Sequence, residues 1–184
     1  MGDSPSNDLL LRARYGDPGA FELFYERHHK GVFRYLYYRL GNIQAAEDMA
    51  AETFLRLISA LPNYRPLGMS PQAWVYQIAR NLSIDHFRHN RIHEEMALEE
   101  QTLSDDDDPP AEAEKHLNQV VLQKALDQLG EDQREVIVLR FISGLHLAET
   151  AQTLNRSEDA VKGLQHRALM ALRKILSDGE VGYA

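Results

Sequence analysis

The stretch from Gln133 to Leu176 constrains the fold most, because its local signals describe helices joined by a very tight turn. A short helical stretch over 147–154 is followed closely by a long helical run that starts at Glu158. Ala151 is small where the two helices must cross, and Asn155 stands where the chain reverses. Asn is the best residue other than Gly for a left-handed position at a helix end. This pattern is typical of a helix-turn-helix unit.

The residues after the turn support the same interpretation. Ser157 is a good N-cap, and Glu158 and Asp159 place negative charge on the first turn of the next helix. Val161 then stands where an apolar residue would lock the second helix onto the first. Agreement among several local signals is stronger evidence than any single residue. The alternative is a plain three-helix packing unit with a solvated polar face.

The polar face of the second helix predicts a DNA-binding surface. In such a unit this helix normally enters the major groove with its N-terminal end first. Lys and Arg side chains bind phosphates, and Arg, Gln and Ser can read base edges. The residues predicted to face DNA are Arg156, Ser157, Lys162, Gln165, His166 and Arg167.

The composition excludes several classes of protein. The 184 residues include no cysteine, which excludes disulfides and thiolate metal sites and fits a reducing cytoplasm. No apolar run approaches the roughly 18 residues of a membrane span, so no membrane insertion is expected. Residues 1–7 lack the basic and apolar regions of a signal peptide. We therefore expect a cytoplasmic protein.

The net charge of −8 is unusual for a DNA-binding protein, but it is unevenly distributed. Residues 94–116 hold ten acidic residues and one lysine, whereas residues 61–93 hold four arginines and one aspartate. Four adjacent aspartates repel one another over 105–108, and Pro109 and Pro110 are expected to prevent a helix. We predict a flexible acidic linker over 94–113. The alternative, a calcium loop, lacks the alternating ligands and central Gly of an EF-hand.

Elsewhere the apolar residues recur at helical spacing, and no segment has the pattern of a strand, so we predict an all-α fold. Residues 1–7 are expected to form a disordered tail, with Asp8 capping the first helix. Asp17 can cap a second helix that Gly41-Asn42 ends. The further helices are predicted over Ala45–Leu61, over Gln72–Arg91 after the start signal Ser70-Pro71, and from Glu114 onward.

Two blocks of the sequence together resemble the extracytoplasmic-function (ECF) sigma factors of the sigma-70 family. Ala46 to Arg56 matches the core-polymerase-binding helix of that family's second conserved domain, and Trp74 to Arg88 matches a later part of the same domain. Leu122 to Leu176 resembles the family's fourth domain. Two motifs on separate domains are far more specific than a lone helix-turn-helix.

The resemblance implies two small helical domains joined by the acidic linker. A sigma-2-like bundle would span 8–93 and a sigma-4-like helix-turn-helix domain 114–178, with a tail over 179–184. The chain would bind core RNA polymerase and direct promoter-specific transcription initiation. Its partners would be the β′ clamp helices and β flap of the polymerase, promoter DNA and an anti-sigma factor. The implied core-binding residues are Glu47, Asp48, Glu52 and Arg56, for which the alternative is an ordinary solvated helix face.

The resemblance also implies that the first domain grips the non-template strand of the minus-ten promoter element. Capturing an extruded base costs a few kcal/mol, which stacking at roughly 1–3 kcal/mol per base can offset. Trp74 is either part of such a stacking surface or part of the core. The residues implied for this surface are Tyr64, Arg80, Asn81, Asp85, Arg88 and Arg91.

The fourth domain would recognise the minus-thirty-five element, and here the sequence departs from the family. Leu164 occupies the position where a common family pattern has Arg, and Leu169 and Met170 remove charge. Gly163 costs about 1 kcal/mol of helix stability relative to Ala. We expect weaker phosphate attraction here, with either an unusual DNA sequence or a protein partner at an exposed Leu/Met face. The acidic linker would either thread the RNA-exit path of the polymerase or act as a solubilising tether.

No catalytic constellation is present in the sequence. There is no Gly-rich phosphate loop and no nucleophile with a recognisable base, so we predict no enzymatic activity and no cofactor. His86, His89 and His93 fall at helical spacing, but contact with phosphates or solvent explains them as well as metal does, and we predict no metal site. The alternative function is a stand-alone helix-turn-helix DNA-binding regulator that retains the sigma fold.

Overall fold

The computed structural model describes residues 5–66, 68–94 and 110–180, with side chains for residues 6–66, 68–89 and 119–177. Residues 1–4, 67, 95–109 and 181–184, most of the predicted linker among them, and the side chain of Arg91 lie outside the described part. Over the described residues the fold is all-α, as predicted. The helices are α1 Pro5–Arg14, α2 Pro18–Leu40, α3 Ile43–Ala60, α4 Pro71–Glu94, α5 Pro110–Asp127, α6 Glu131–Ile137, α7 Leu147–Leu154 and α8 Glu158–Glu180.

Capping residues set the helix boundaries of the first unit, α1–α4. The Asp17 carboxylate accepts a hydrogen bond from the backbone N–H of Ala20 at 3.2 Å, and Pro18 occupies the first helical position of α2. Gly41 ends α2 in the left-handed conformation, with φ 70°, and its N–H donates to the Tyr37 carbonyl at 2.8 Å. Asn42 then caps α3, so this helix begins two residues earlier than predicted.

Two predicted boundaries are wrong by several residues. α1 begins at Pro5, inside the predicted tail, because Ser6 is buried and its hydroxyl pairs with the His28 ring at 3.3 Å. Asn7 likewise accepts a hydrogen bond from the Tyr64 hydroxyl at 2.7 Å. α5 begins at Pro110, inside the predicted linker. Proline has no N–H to donate and a fixed φ, so it fits the first position of a helix even where it would break the interior.

The second unit, α5–α8, is built around the helix-turn-helix. α6 continues into a π-helical segment, Val138–Ile142, before a short turn leads to α7. The N–H of Ser143 donates to the Val138 carbonyl at 2.9 Å, which closes the π-helical turn. α6 and α7 both pack against α8.

The two units pack directly against each other, in what we call the closed arrangement. α4 lies against α7, and α2 lies against the π-helical segment. The buried core therefore runs from Phe24 and Tyr35 in the first unit to Leu139 and Val161 in the second. Over the described ranges, no helix is both long enough and apolar enough to span a membrane.

Candidate functional site

The turn between α7 and α8 has the geometry that the sequence predicted. Asn155 is left-handed, with φ 52° and ψ 48°, and it is the only non-glycine residue with positive φ among those described. The N–H of Arg156 donates to the Ala151 carbonyl at 2.9 Å. Ser157 caps α8 by accepting the N–H of Ala160 at 3.2 Å. Ala151 and Val161 are buried where α7 crosses α8, so the helix-turn-helix prediction is confirmed.

Most of the polar side chains predicted to face DNA lie exposed on the N-terminal half of α8. His166 and Arg167 are exposed, and Lys162 is exposed beside Asp159, with Nζ 3.1 Å from a carboxylate oxygen. Just before the helix, Arg156 and Ser157 are exposed, and Arg156 pairs with Asp132 at 2.7 Å. Surface ion pairs of this kind are weak, so both cations can exchange a carboxylate for a phosphate at little cost.

Gln165 is placed differently from the rest of this set. It is half-buried, and its side-chain oxygen accepts a hydrogen bond from Nε of Arg140 at 3.0 Å. Arg140 also donates to the carbonyl of Leu145, which ties the π-helical segment to the turn before α7. Arg140 was not among the predicted site residues, and it reaches the edge of the α8 surface through Gln165.

The structure separates the apolar residues of α8 into two groups. Leu164 is 8% exposed and belongs to the core, so it is not part of an exposed apolar face. Leu169 and Met170 are 40% and 57% exposed. These two residues extend the outer face of α8 beyond His166 with apolar surface.

The four residues implied for core-polymerase binding lie together on the outer side of α3. Glu47, Asp48 and Arg56 are exposed, and Glu52 pairs with Arg56 at 2.8 Å. Leu55, which is 59% exposed, projects between them. The result is a charged face with an apolar centre, carried by a helix whose other side is buried on α2 and α4.

The outer face of α4 carries several of the residues implied for minus-ten recognition. Asn81, Asp85 and Arg88 are exposed at spacings of three and four residues, and Asp85 and Arg88 approach to 3.9 Å. Arg80 differs, because its Nε donates to a buried carboxylate oxygen of Glu135 at 2.9 Å. The third arginine of this set, Arg91, has its side chain outside the described part.

Tyr64 does not offer a stacking surface in the closed arrangement. Its ring is 5% exposed and is stacked on Trp74, with ring centroids 5.0 Å apart and an interplanar angle of 14°. Its hydroxyl donates to Asn7, and its carbonyl accepts from Arg14 at 2.7 Å. Trp74 packs against the core, which agrees with the core alternative for this residue.

A buried cluster of charged side chains joins the two units. The carboxylate of Glu135 on α6 is 1% exposed. One of its oxygens, Oε1, accepts hydrogen bonds from the Tyr35 hydroxyl and from Nε of Arg80, each at 2.9 Å. A terminal nitrogen of Arg39 lies 3.5 Å from the same oxygen. Burial, and next the charge of Glu135, raise the pKa of the Tyr35 hydroxyl well above its ordinary value, so it remains a donor.

Polar contacts continue the interface on either side of this cluster. The side chain of Gln152 accepts from the N–H of Ser70 at 3.0 Å and donates to the carbonyl of Gly68 at 3.0 Å. At the other end, the carbonyl of Tyr38 accepts from Gln123 at 3.3 Å and from Arg134. The closed arrangement is thus held by hydrogen bonds as well as by apolar contact.

Arg39 and Glu135 were missed in the sequence analysis although both leave a local signal. Each stands at a position where helical periodicity requires a core residue, and Glu135 directly precedes the apolar run Val136–Leu139. A charged residue at a core position is rarely fully buried unless it is paired. That signal indicates that each of these residues has a buried partner, but it does not show which residue the partner is.

Comparison with known proteins agrees with this geometry. The family description "Sigma-70 region 2" matches residues 24–92, and "Sigma-70, region 4" matches residues 125–174. The chain is 36% identical over 173 residues to the ECF RNA polymerase sigma factor BldN of Streptomyces coelicolor, covering 93% of this chain and 66% of the relative. It is 35% identical to the ECF RNA polymerase sigma factor SigX of Bacillus subtilis, covering 84% of this chain and 82% of the relative.

A solved structure shares the fold. CnrH, in complex with the cytosolic domain of CnrY, matches with a TM-score of 0.76 at 23% identity, covering 95% of this chain and 99% of that chain. The helix-turn-helix, the charged face of α3 and the two regional matches occur in the same chain order as the resemblance implied. The chain belongs to the family of ECF RNA polymerase sigma factors.

Proposed function

We propose that this chain binds core RNA polymerase in the cytoplasm and directs it to promoters as an alternative sigma factor under the control of an anti-sigma factor. The observation that carries the proposal is the presence of both sigma regions in one chain, each with an exposed polar helix face. A sigma factor contributes binding and positioning, and the polymerase performs the chemistry.

The outer face of α3 is the proposed contact with the polymerase β′ clamp helices. Asp48, Glu52 and Glu47 provide negative charge, and Leu55 provides an apolar centre within the same face. A charged rim around an apolar anchor is the usual composition of a protein interface. The exposed apolar end of the α8 face, at Leu169 and Met170, is a second protein-binding surface and is the proposed contact with the β flap.

The outer faces of α4 and α8 are the proposed DNA surfaces. Asn81, Asp85 and Arg88 on α4 would contact the minus-ten strand, and Lys162, His166 and Arg167 on α8 would contact the minus-thirty-five element. Phosphate contacts fix the position of a protein on DNA, and base contacts specify the sequence. Two short recognition elements on one chain can together select a promoter that neither selects alone.

The closed arrangement supports control by a second protein. Arg80 is bound to Glu135 of the second unit, so part of the proposed minus-ten surface is covered. A protein that binds the closed arrangement more tightly than the open one would hold the chain inactive. CnrH, whose fold this chain shares, was solved bound to the cytosolic domain of CnrY.

The experiment is run-off transcription with core polymerase and a genomic promoter library, together with a direct binding assay to core enzyme. Asp48→Arg is expected to abolish core binding while the helical circular-dichroism signal stays unchanged. Glu26→Arg makes the same charge change at an exposed position on α2 and is expected to bind core enzyme normally. Unchanged core affinity of Asp48→Arg would refute the role of α3. Tight duplex binding without polymerase would instead favour a stand-alone regulator.

A further inference from the structure

We propose that Tyr35, Arg39 and Arg80 form an anion-binding site that receives a backbone phosphate of promoter DNA when the two units separate. In the closed arrangement Glu135 occupies this site in place of the phosphate. The proposal rests on the sigma-factor function proposed above. It adds a phosphate site that includes Tyr35 and Arg39. It also adds a competitor for that site, which is a side chain of the same protein.

The donors of the site converge on a single point. The Tyr35 hydroxyl and Arg80 Nε each lie 2.9 Å from Oε1 of Glu135, and Arg39 Nη1 lies 3.5 Å from the same atom. All three donors belong to the first unit, on α2 and α4, whereas the acceptor belongs to α6 of the second. Separation of the units therefore removes the anion and leaves its donors together on the first unit.

Contacts within the first unit keep the donors in place. Nε of Arg39 donates to the Ser83 hydroxyl at 2.6 Å, and Ser83 in turn donates to the carbonyl of Arg80 at 2.7 Å. The Arg39 guanidinium lies over the ring of Phe87, 5.7 Å from its centroid. Because none of these contacts involves the second unit, Arg39 stays held beside the backbone of Arg80 after α6 leaves.

A phosphate group suits this site better than water does. The site brings two guanidinium groups close to one point, and one of them, Arg39, has a side chain that is only 4% exposed, so an anion is favoured to offset their charge. Guanidinium and hydroxyl groups commonly donate hydrogen bonds to phosphate oxygens, and charge-assisted hydrogen bonds are stronger than neutral ones. The site also borders the proposed minus-ten surface, because Arg80 precedes Asn81 and lies on α4 with Asp85. A strand bound along α4 would therefore bring its backbone next to the site.

The consequence is mutual exclusion between closure and DNA binding. Glu135 and a phosphate cannot occupy the same position, so each must weaken the other by the same factor. An isolated closed chain would bind DNA poorly, and any partner that opens it would release the site.

The test measures the affinity of the intact 184-residue chain, without polymerase, for a short fluorescein-labelled single-stranded DNA of mixed sequence. Binding is detected by fluorescence anisotropy. Glu135→Gln keeps the size of the side chain but removes its charge, and it is expected to raise the affinity for this DNA about tenfold. Adding Arg80→Gln to that variant is expected to return the affinity to the wild-type value. The salt slope of the logarithm of the binding constant should then become shallower by about 0.7, as one phosphate contact is lost.

Glu131→Gln is the matched control. Glu131 lies on the same helix and pairs with the same Arg39 at 3.0 Å, but its side chain is 73% exposed. A change of less than about threefold is expected, because exposed ion pairs contribute little. Unchanged affinity of Glu135→Gln, an equal effect of Glu131→Gln, or a gain that survives Arg80→Gln would each overturn the proposal.

A second variant covers the case in which Glu135→Gln does not fold. Gln152→Ala removes hydrogen bonds to Ser70 and Gly68 at one end of the interface and leaves the charged cluster intact. It is expected to raise DNA affinity about threefold, and the gain should again require Arg80. A chain that binds DNA in this way but never binds core polymerase would refute the proposed function and leave the anion site standing.

Discussion

The hydroxyl of Tyr35 offers the cleanest single-atom test of the closed arrangement, through the variant Tyr35→Phe. The ring is fully buried and packs edge-on against Tyr76 of the first unit, and its hydroxyl donates to Glu135 of the second unit at 2.9 Å. Removing the oxygen keeps the ring packing of the first unit. The variant is therefore expected to shift the equilibrium between closed and open chains and to leave the folding of each unit nearly unchanged.

The size of the effect follows from the partner of the hydrogen bond. A bond to a charged group contributes about 1.5–3 kcal/mol to stability. In the open chain the hydroxyl would be hydrated, so the loss falls on the closed state alone. That free energy corresponds to a tenfold to hundredfold rise, roughly, in the ratio of open to closed chains.

The assay is energy transfer between two dyes, one on each unit. Because the chain has no cysteine, Gln44→Cys and Lys174→Cys introduce two exposed labelling positions without competing thiols. Tyr64→Phe is the matched control: it loses a hydroxyl that donates to Asn7 within the first unit at 2.7 Å, so it should lower the stability of that unit without changing energy transfer. Equal energy transfer in the parent chain and in Tyr35→Phe would refute the assigned role of the Tyr35–Glu135 bond.

Three further predictions concern stability and DNA binding. Burial, and next the charge of Arg27, lower the pKa of His28 to about 4, so the unfolded chain binds more protons than the folded chain between pH 4 and 6.5. The contribution of His28 to the free energy of unfolding is then fully present above pH 6.5, and the free energy of unfolding falls by about 3 kcal/mol toward pH 4. His28→Gln should remove this part of the pH dependence of urea unfolding. Asn155→Ala should destabilise the chain by about 1–2 kcal/mol in the same assay because of its positive φ, whereas Asn155→Gly should not. Lys162→Ala and Arg167→Ala should each lower run-off transcription from promoters with an upstream element, and equal transcript levels in all variants would count against the α8 surface.

The helix-turn-helix could be predicted residue by residue because its signals are local. Asn155 takes the left-handed conformation and Ser157 caps α8, and both follow from the side chain and its nearest neighbours in sequence. The exposure of the outer faces of α3 and α8 could also be predicted from the sequence, since exposure follows helical periodicity. The error at Leu164 has a different origin: comparison with a family pattern suggested a surface position, and the packing of α8 on α6 buries it.

The contacts between the units could not be predicted from local rules. Tyr35 and Glu135 are separated by one hundred positions in the chain, and nothing near either residue identifies the other. Tyr64 was expected on a nucleic-acid surface because aromatic side chains stack on bases, but the same ring stacks equally well on Trp74. The early starts of α1 and α5 have a related cause, since the partners of Ser6 lie on a distant helix and Pro110 is a helix breaker only in the interior.

The chemistry of the interface bears on how the chain can be switched. A buried ion pair contributes little net stability, because desolvation of the charges offsets most of their attraction, yet removal of one partner is costly. An interface centred on Glu135, Arg39 and Arg80 therefore specifies one arrangement of the units without holding them together as strongly as an apolar interface of equal area would. Binding energy supplied by a polymerase or by a DNA phosphate can then exceed the cost of opening, provided that the arginines gain a new anion as they lose the old one. Replacing the three residues with a well-packed apolar set would be expected to produce a chain that folds at least as stably but no longer opens on core polymerase.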